Sequence, residues 1–322
     1  MRKYRVLVTA RSFGSADQKA AKFLEENDCE VIKLAAGNGP IPEQLKRELP
    51  EADAVIAGLE IYCKDLIECA PKLKVISRYG VGYDKVDLKA ASDNGVIVTY
   101  TPGANGDSVA DMAVALMLNA ARNVSYMDQC MKGENQQRPT GVEMWEKTLG
   151  VIGAGRIGKG AARRCKGFNM RILCYDTFQD EAFKKECGAE YTDLDTIIKE
   201  ADFITIHCPL IDETRNMFST EQFKAMKKHA VIVNTSRGGI INEAALYEAL
   251  KNGEIGAAGL DVTVEEPPYG SPLLTLPNCT VTPHAGAATY EASSKMSMMA
   301  AKNIVDVLKT GKCNLTVNKI NQ

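Results

Sequence analysis

An apolar run that ends in three spaced glycines constrains the fold of this chain more than any other stretch. Residues 148–158 read T-L-G-V-I-G-A-G-R-I-G, with glycines at 153, 155 and 158. The apolar run predicts a strand that turns sharply into a helix. Gly153 permits the tight turn, Gly155 lets the backbone approach a pyrophosphate, and Gly158 lets the helix pack on the strand. The N–H groups of such a helix start can bind phosphates.

A second strand and an acid follow these glycines. A helical pattern at 156–168 leads to the apolar run R-I-L-C-Y, which ends at Asp176. An acid at this place can accept hydrogen bonds from the adenosine ribose hydroxyls. Thr177 and Phe178 come next, and no arginine stands there to hold a 2′-phosphate, which favours NAD over NADP. An ordinary loop would explain the glycines alone, but not strand, helix, strand and acid in this order.

The composition excludes several classes of partner. The 322 residues include 39 Lys+Arg and 41 Asp+Glu, so there is no basic field for nucleic acid or an anionic membrane. The first apolar run is too short for a signal peptide, and no later run reaches the ~18 residues of a membrane span. The ten cysteines are scattered with no C-x-x-C, which predicts reduced, buried thiols in a cytoplasmic protein without a metal site. The length suits two domains.

Strand and helix patterns alternate before residue 100. Strands are expected at 4–9, 30–34, 54–57, 73–77 and 95–99, with helices at 15–27, 63–69 and 86–94. The loop R-Y-G-V-G-Y-D (78–84) follows the fourth strand, and open α/β sheets bind ligands at the carboxyl ends of strands. Gly80 and Gly82 flank Val81, so backbone N–H groups there can cradle a small anion. A plain glycine turn is an equally good interpretation of this loop alone.

The same alternation resumes after Asp176. Helices are expected at 193–200, 220–228, 242–252 and 289–309, with another capped by Gly188, and apolar runs at 202–210, 230–234, 257–261 and 279–286. We therefore predict an α/β protein with two doubly wound parallel sheets. A Rossmann nucleotide domain is expected at 105–286, and a flavodoxin-like substrate domain at 1–104 and 287–322. The substrate domain is discontinuous because the last helix is expected to pack back on the first unit.

One helix lies between the two alternating series of strands and helices. Residues 108–121 begin with a capping box and are apolar on nearly every side, so this helix should be buried all round. One sheet cannot cover it, so we expect it to link the domains and to pack on a partner subunit, which predicts a homodimer. Residues 122–147 are polar, contain Gly133, Pro139 and Gly141, and predict an extended arm or loop.

Three polar residues follow three strands of the expected nucleotide domain. Arg237, Glu266 and His284 can converge at the carboxyl edge of its sheet, where the nicotinamide would lie. A loop histidine is more often structural than catalytic, but a carboxylate paired with imidazole fixes its tautomer and favours its protonated form. Arg237 stands between Ser236 and two glycines, so its guanidinium can bind a carboxylate or a carbonyl oxygen; a surface arginine at a helix entry is the alternative.

Seven motifs together resemble a known family. They are S-R-Y-G-V-G-Y-D, T-P-G-A-N, G-A-G-R-I-G with Asp176, H-C-P-L, N-T-S-R-G-G, D-V-T-V-E-E-P and T-P-H-A-G. The chain resembles the NAD-dependent D-isomer-specific 2-hydroxyacid dehydrogenases over nearly its whole length, and most of all the catalytic part of phosphoglycerate dehydrogenases. The resemblance implies hydride transfer between NAD(H) and a small D-2-hydroxy or 2-oxo acid, in a cleft between two domains.

The resemblance also implies roles for individual residues. It makes His284 the acid/base, Glu266 its partner and Arg237 the substrate clamp. Substrate binding falls to the loop residues Arg78, Val81 and Gly82. Cofactor binding falls to the residues of the nucleotide motifs, which are Gly153, Gly155, Arg156, Ile157, Gly158, Asp176, His207, Cys208, Pro209, Thr235, Ser236, Arg237, Asp261, His284 and Gly286, with Asp261 on the nicotinamide amide.

Two departures leave the substrate open. Many phosphoglycerate dehydrogenases carry an arginine after the third strand, where this chain reads A-G-L-E-I with Ala57 and Glu60, and the chain stops at Gln322 without room for their regulatory domain. Formate dehydrogenases of this fold resemble the chain less, because they have a glutamine at the place of Glu266. A hydroxypyruvate or glyoxylate reductase is the alternative enzyme, and a non-catalytic NAD-sensing protein of the same fold is the alternative outside enzymes.

Overall fold

The computed structural model describes residues 3–34, 37 and 41–320. The chain divides into two compact units, a first unit of Met1–Asn105 with Ala288–Gln322 and a second unit of Gly106–Ala287. Each unit is built on its own parallel sheet, of five strands in the first and seven in the second. The predicted fold class, α/β with two doubly wound parallel sheets, is confirmed.

The elements alternate along the chain. The strands are β1 (Tyr4–Val8), β2 (Cys29–Lys33), β3 (Ala54–Ala57), β4 (Val75–Arg78), β5 (Ile97–Thr99), β6 (Thr148–Ile152), β7 (Arg171–Tyr175), β8 (Glu190–Tyr191), β9 (Phe203–Ile206), β10 (Val231–Asn234), β11 (Ala257–Leu260) and β12 (Cys279–Val281). The helices are α1 (Lys19–Glu26), α2 (Ile41–Glu48), α3 (Lys64–Glu68), α4 (Leu88–Asp93), α5 (Gly106–Arg122), α6 (Val124–Lys132), α7 (Arg156–Cys165), α8 (Glu181–Cys187), α9 (Leu194–Glu200), α10 (Thr220–Ala225), α11 (Glu243–Lys251) and α12 (Tyr290–Thr310).

The sheet of the first unit has the order β2-β1-β3-β4-β5. Its central strands β3 and β4 are buried at every position, as expected for parallel strands covered on both faces. Helix α12 returns to this sheet, where Ala300, Ala301 and Ile304 pack in one core with Val6 and Ile56. The strand order reverses between β1 and β3, which is the place where doubly wound sheets of this order bind ligands.

The sheet of the second unit has the order β12-β11-β10-β9-β6-β7-β8. Here the order reverses between β6 and β9, so the loops that follow these two strands form the expected nucleotide crevice. Helix α5 packs beside α7 and covers β10 and β11. The buried face of α5 carries the side chains of Ala113, Leu116 and Met117.

Some expectations from the sequence are wrong in detail. Helix α5 is not buried all round by its own chain, because Asp107, Asp111, Ala115, Leu118 and Arg122 form an exposed stripe along it, and burial of this stripe by a partner subunit stays a prediction. Residues 122–147 are not only loop, because they include helix α6, which has no buried residue. The sequence pattern also predicts neither α2 nor β8.

Two findings concern the cysteines and the helices. All ten cysteines are free thiols, but Cys63 and Cys69 are exposed rather than buried. Among the residues that the structure describes, no helix combines the length and the apolar character needed to cross a membrane.

Candidate active site

Three neighbouring strands of the second unit place three polar side chains along one edge. Arg237 follows β10, Glu266 follows β11 and His284 follows β12, and these strands are adjacent in the sheet. Because the strands are parallel, the loops that carry these residues all leave the sheet at its carboxyl edge.

His284 and Glu266 form a hydrogen-bonded pair. Nδ1 of His284 lies 2.9 Å from Oε1 of Glu266. The side chains are 27 % and 20 % exposed, so the pair is partly shielded and still reachable from solvent. An ionised carboxylate only accepts hydrogen bonds, so Nδ1 carries the proton and Nε2 is the ring atom left to exchange a proton with a ligand.

Asp261, at the end of β11, holds the loop that carries His284. Its carboxylate is 2 % exposed. Oδ1 accepts a hydrogen bond from Ala285 N at 2.8 Å, and Oδ2 accepts one from Gly286 N at 2.7 Å. Oδ1 also accepts one from the Thr282 hydroxyl at 2.6 Å. Sequence reasoning places Asp261 on the nicotinamide amide and misses this positioning role, for which the sequence carries no signal beyond an acid at a strand end.

The Arg237 loop packs directly on the loop that leads to Glu266. A Cβ added at Gly238 would lie 2.2 Å from the carbonyl carbon of Thr263, so only glycine allows this approach. Asn234, buried at the end of β10, donates from Nδ2 to Arg237 O at 2.7 Å and fixes the turn. Asn234 is a further residue that sequence reasoning misses, although it opens the N-T-S-R-G-G motif.

The glycine turn after β6 has the shape that a pyrophosphate requires. Gly153 has a φ of +91°, and a Cβ there would lie 2.7 Å from Cys208 N, so the loops after β6 and β9 are in contact. A Cβ at Gly158 would lie 2.1 Å from Gly153 O, which shows how closely α7 packs on the turn. Around Gly155 no atom lies within 4 Å of an added Cβ, so the turn is open where the phosphates would approach. These residues fit a dinucleotide.

Asp176 lies beside this turn. Its Oδ2 accepts a hydrogen bond from Ala154 N at 2.7 Å, and its Oδ1 accepts one from Phe178 N at 2.9 Å. A carboxylate has about four acceptor positions, and Oδ1 also accepts from the Thr177 hydroxyl at 3.4 Å, so Oδ2 is the oxygen that can still accept from a ribose hydroxyl. The negative charge next to the turn opposes a second phosphate at that ribose.

The two other histidines occupy different environments. His207, after β9, lies between the Thr205 hydroxyl, 2.9 Å from Nε2, and the Thr235 hydroxyl, 3.3 Å from Nδ1. Burial lowers the pKa of the His207 imidazole to about 3, so this ring stays neutral. His229 pairs with Asp202 at 3.0 Å, before β9, at the opposite edge of the sheet. His284 is therefore the histidine at the carboxyl edge that can carry a proton.

In the first unit, Arg78 shapes the loop that follows β4. Its guanidinium is buried and donates to the backbone carbonyls of Ala57, Gly58 and Gly82, with 2.9 Å between Nε and Gly82 O. Sequence reasoning counts Arg78 among the substrate-binding residues. The contacts of its guanidinium show that it supports the loop, and its role in substrate binding stays a prediction.

The same loop presents two backbone donors. The N–H group of Gly80 donates to the Thr101 hydroxyl at 2.8 Å. Within the part of the chain that the structure describes, the N–H groups of Val81 and Gly82 have no hydrogen-bond acceptor. Adjacent backbone N–H groups of this kind suit a carboxylate.

Fold and site together define a protein built to bind a dinucleotide, and comparisons with known proteins identify its family. A family model described as D-isomer specific 2-hydroxyacid dehydrogenase, NAD binding domain, matches residues 114–286. The D-3-phosphoglycerate dehydrogenase of Methanocaldococcus jannaschii is 44 % identical over 309 residues, which cover 94 % of this chain and 58 % of that protein. The glyoxylate reductase of Korarchaeum cryptofilum is 40 % identical over 291 residues, which cover 88 % of this chain and 87 % of that protein.

Solved structures agree with these relatives. The apo structure of D-lactate dehydrogenase from Escherichia coli matches with a TM-score of 0.85 and 31 % identity, over 97 % of this chain and 99 % of that chain. The chain therefore belongs to the D-isomer specific 2-hydroxyacid dehydrogenases, a family of NAD-dependent oxidoreductases. The family and the cofactor expected from the sequence motifs are confirmed. The chain spans only 58 % of the length of the similar phosphoglycerate dehydrogenase.

Proposed function

We propose that this protein reduces a small 2-oxo acid to the D-2-hydroxy acid with NADH and catalyses the reverse oxidation. The observation that carries the proposal is the pair of His284 and Glu266, 2.9 Å apart at the carboxyl edge of a NAD-binding domain. A proton donor beside a nicotinamide is what reduction of a carbonyl group requires.

Each proposed catalytic residue has one task. When bound, NADH supplies the hydride for C2 of the 2-oxo acid. His284 donates the proton from Nε2 to the carbonyl oxygen as it becomes an alcohol, and Glu266 orients the ring and stabilises its protonated form. Arg237 stabilises the negative charge that develops on that oxygen. Acid/base assistance of this kind contributes ~10²–10⁴ in rate.

The substrate carboxylate is proposed to bind in the first unit. The N–H groups of Val81 and Gly82 are the donors, and Arg78 fixes the loop by donating from Nε to Gly82 O. The open backbone donors and the buried guanidinium beneath them support this assignment. Binding the carboxylate fixes which face of C2 is presented for reduction.

Asp176 is proposed to make the protein prefer NADH to NADPH. Its carboxylate accepts from Ala154 N at 2.7 Å and so lies against the turn, where it would repel a 2′-phosphate. We expect a higher kcat/KM with NADH than with NADPH. Equal values with the two cofactors would contradict this assignment.

Two reactions compete as the natural one. Reduction of glyoxylate or hydroxypyruvate is supported by the similarity of this chain to a glyoxylate reductase over 87 % of that protein's length. Oxidation of 3-phosphoglycerate is favoured by the higher identity, 44 %, to a phosphoglycerate dehydrogenase. Both reactions use the same proposed catalytic residues.

The test is NADH oxidation with a panel of 2-oxo acids, including glyoxylate, hydroxypyruvate and 3-phosphohydroxypyruvate. We expect turnover with at least one acid, and His284→Ala should lower kcat/KM by ~10²-fold or more. Tight NADH binding without turnover of any acid would instead favour a non-catalytic NAD-sensing protein.

Two further assignments belong to this proposal. We propose a homodimer through the region of α5 and α6, supported by the exposed apolar side chains of Leu118, Val124, Met131 and Trp145. We also propose a cytoplasmic location, supported by ten cysteines that are all free thiols.

A further inference from the structure

We propose that Glu243, the first residue of α11, positions Glu266 against His284 by holding the loop that carries Glu266. This inference rests on the proposed reduction of 2-oxo acids and adds a positioning residue to it. Its basis is a hydrogen bond in which the backbone N–H group of Val264 donates to Oε1 of Glu243 at 2.6 Å. Val264 stands two residues before Glu266 in the chain.

The loop that carries Glu266 leaves the core just before this hydrogen bond. Val262 and Thr263 are buried, with 2 % and 6 % of their surface exposed. Val264 and Glu265 are exposed, Val264 with 65 % of its surface. Side-chain packing therefore does not fix the course of the chain after Thr263, and backbone contacts take over that task. The hydrogen bond to Glu243 lies at the point where the packing ends.

Three contacts hold the backbone at this point. The Thr263 hydroxyl donates to Glu265 O at 2.6 Å. A Cβ added at Gly238 would lie 2.2 Å from the carbonyl carbon of Thr263 and 2.5 Å from Val264 N, so the peptide group between these two residues rests on Gly238. The N–H of the same peptide group donates to the Glu243 carboxylate, and a hydrogen bond to an ionised acceptor is about twice as strong as a neutral one.

The start of α11 has a cap of its own. Asn242 is the N-cap residue, and its side chain accepts a hydrogen bond from Ala245 N at 3.0 Å. Glu243 is favourable in the first turn through the helix dipole, an effect that depends on its charge. The hydrogen bond from Val264 N depends instead on the reach of the side chain. The two roles of Glu243 can therefore be separated by substitution.

The contacts of Glu243 bear on the proposed chemistry through the geometry of the acid/base pair. Gly238 and Glu243 belong to the segment that follows Arg237, and both contact the loop that leads to Glu266. If that loop shifts, the distance of 2.9 Å between Glu266 Oε1 and His284 Nδ1 changes. A misplacement of about 1 Å at a reacting group can lower a rate by ~10²-fold.

The experiment compares kcat/KM for 2-oxo acid reduction in the parent protein, Glu243→Gln and Glu243→Asp. Glu243→Gln keeps the reach and an acceptor oxygen but loses the charge, so kcat/KM should stay within about twofold of the parent value. Glu243→Asp keeps the charge but is one methylene group shorter, so it loses the hydrogen bond, and kcat/KM should fall by about tenfold. Glu248→Asp changes an exposed acid of the same helix and is the matched control, with unchanged kcat/KM.

A second measurement shows whether the loss acts through Glu266. In Glu266→Ala the carboxylate that Glu243 is proposed to position is absent. Adding Glu243→Asp to Glu266→Ala should therefore lower kcat/KM no further. A general disturbance of the fold would instead lower kcat/KM by the same factor with and without the Glu266 side chain.

The outcomes separate this inference from the proposed function. If the parent protein reduces none of the acids, the proposed function fails and the inference fails with it. If the parent protein is active, the inference alone is wrong when Glu243→Asp is as active as the parent, when Glu243→Gln loses as much as Glu243→Asp, or when Glu243→Asp keeps its full effect in Glu266→Ala. Glu243→Ala, which also removes the acceptor, takes the place of Glu243→Asp if thermal unfolding shows that Glu243→Asp does not fold.

Discussion

His284 is held by two carboxylates that act on different parts of it. Glu266 bonds the imidazole at 2.9 Å, whereas Asp261 fixes the backbone that follows through Ala285 N and Gly286 N. The backbone of His284 has a φ of +52°, which is unfavourable for a residue with a side chain. The hydrogen bonds that Asp261 accepts therefore stabilise the loop conformation that presents the ring to Glu266.

A double-mutant cycle tests whether Glu266 acts through His284. His284→Ala should lower kcat/KM for 2-oxo acid reduction by ~10²-fold or more, and Glu266→Gln by a smaller factor. Because the carboxylate is proposed to work only by orienting and charging the imidazole, Glu266→Gln should have no further effect once His284 is alanine. Additive losses in the double variant would show that Glu266 contacts the substrate independently.

The buried His207 makes stability depend on pH. Burial lowers the pKa of His207 to about 3 from its ordinary value of 6.5, so the unfolded chain binds a proton that the folded protein does not. Stability is therefore lost as pH falls below the unfolded value, by about 1 kcal/mol between about pH 7.5 and about pH 5.5. The midpoint temperature of thermal unfolding should fall less over this pH interval in His207→Asn than in the parent protein.

The matched control for this prediction is His229→Asn. The His229 side chain is 50 % exposed and lies against Asp202 rather than buried like His207, so its removal should not protect against acid. If the midpoint temperature falls by the same amount between the two pH values in His207→Asn and in the parent protein, the neutral buried imidazole is not the cause of the decrease.

The residues of the site differ in how visible they are in the sequence. Arg237, Glu266 and His284 stand out because each is a polar residue directly after an apolar run. The positioning contacts of Asp261 and the carbonyl contacts of Arg78 are invisible, because they depend on which backbone groups surround a side chain. A carboxylate or guanidinium that bonds the backbone looks the same in a sequence as one that bonds a ligand.

At the level of elements, the turn from β6 into α7 is the part that the sequence determines most closely. Each glycine there is required for its own steric reason, and each reason depends only on atoms close to that glycine. A Cβ at Gly158 would lie 2.1 Å from Gly153 O, whereas a Cβ at Gly155 would meet nothing within 4 Å.

These two glycines predict opposite effects of the same substitution. Gly158→Ala should lower the unfolding temperature, because the helix must move away from the turn. Gly155→Ala should leave the unfolding temperature nearly unchanged and weaken NADH binding, because the added methyl group occupies the open side of the turn. Gly167→Ala, which also meets nothing within 4 Å, is the control for both measurements. The interpretation is wrong if Gly155→Ala binds NADH as tightly as the parent protein does.

Helix α6 shows what the local pattern cannot reveal. None of its residues is buried, so the sequence has no apolar face with a helical period to recognise. For α5 the apolar pattern of the sequence misleads in the opposite way, because it suggests more burial within the chain than the structure has. Its residues are apolar on almost every side, yet Ala115 and Leu118 lie in an exposed stripe between charged residues at 107, 111 and 122. Apolar composition indicates what a helix can bury, but not whether the same chain supplies the cover.

For the whole molecule, alternation of strands and helices predicts parallel sheets, because a parallel pair needs a crossover connection. The two reversals of strand order then identify two pairs of loops that are expected to bind ligands. These are the loops after β1 and β3 in the first sheet and those after β6 and β9 in the second. The sequence predicts this architecture because it follows from connection rules rather than from side-chain detail.

The last prediction concerns assembly. The second unit exposes Leu118, Val124, Met131 and Trp145, and a cavity of about 180 Å³ lies between Leu118 and Trp145. Exposed apolar side chains of this kind favour association with a second copy. Sedimentation equilibrium should therefore give twice the chain mass of 35.0 kDa at micromolar concentrations.

Leu118→Glu should shift this equilibrium towards the monomer, because it places a charge among the apolar side chains of the proposed interface. Tyr290→Glu is the control, since Tyr290 on α12 is also exposed, at 78 %, but belongs to the first unit. It should leave the mass of the assembly unchanged. A parent protein that sediments as a monomer at all concentrations would exclude the homodimer, whereas dissociation by Tyr290→Glu and not by Leu118→Glu would place the interface on the other unit.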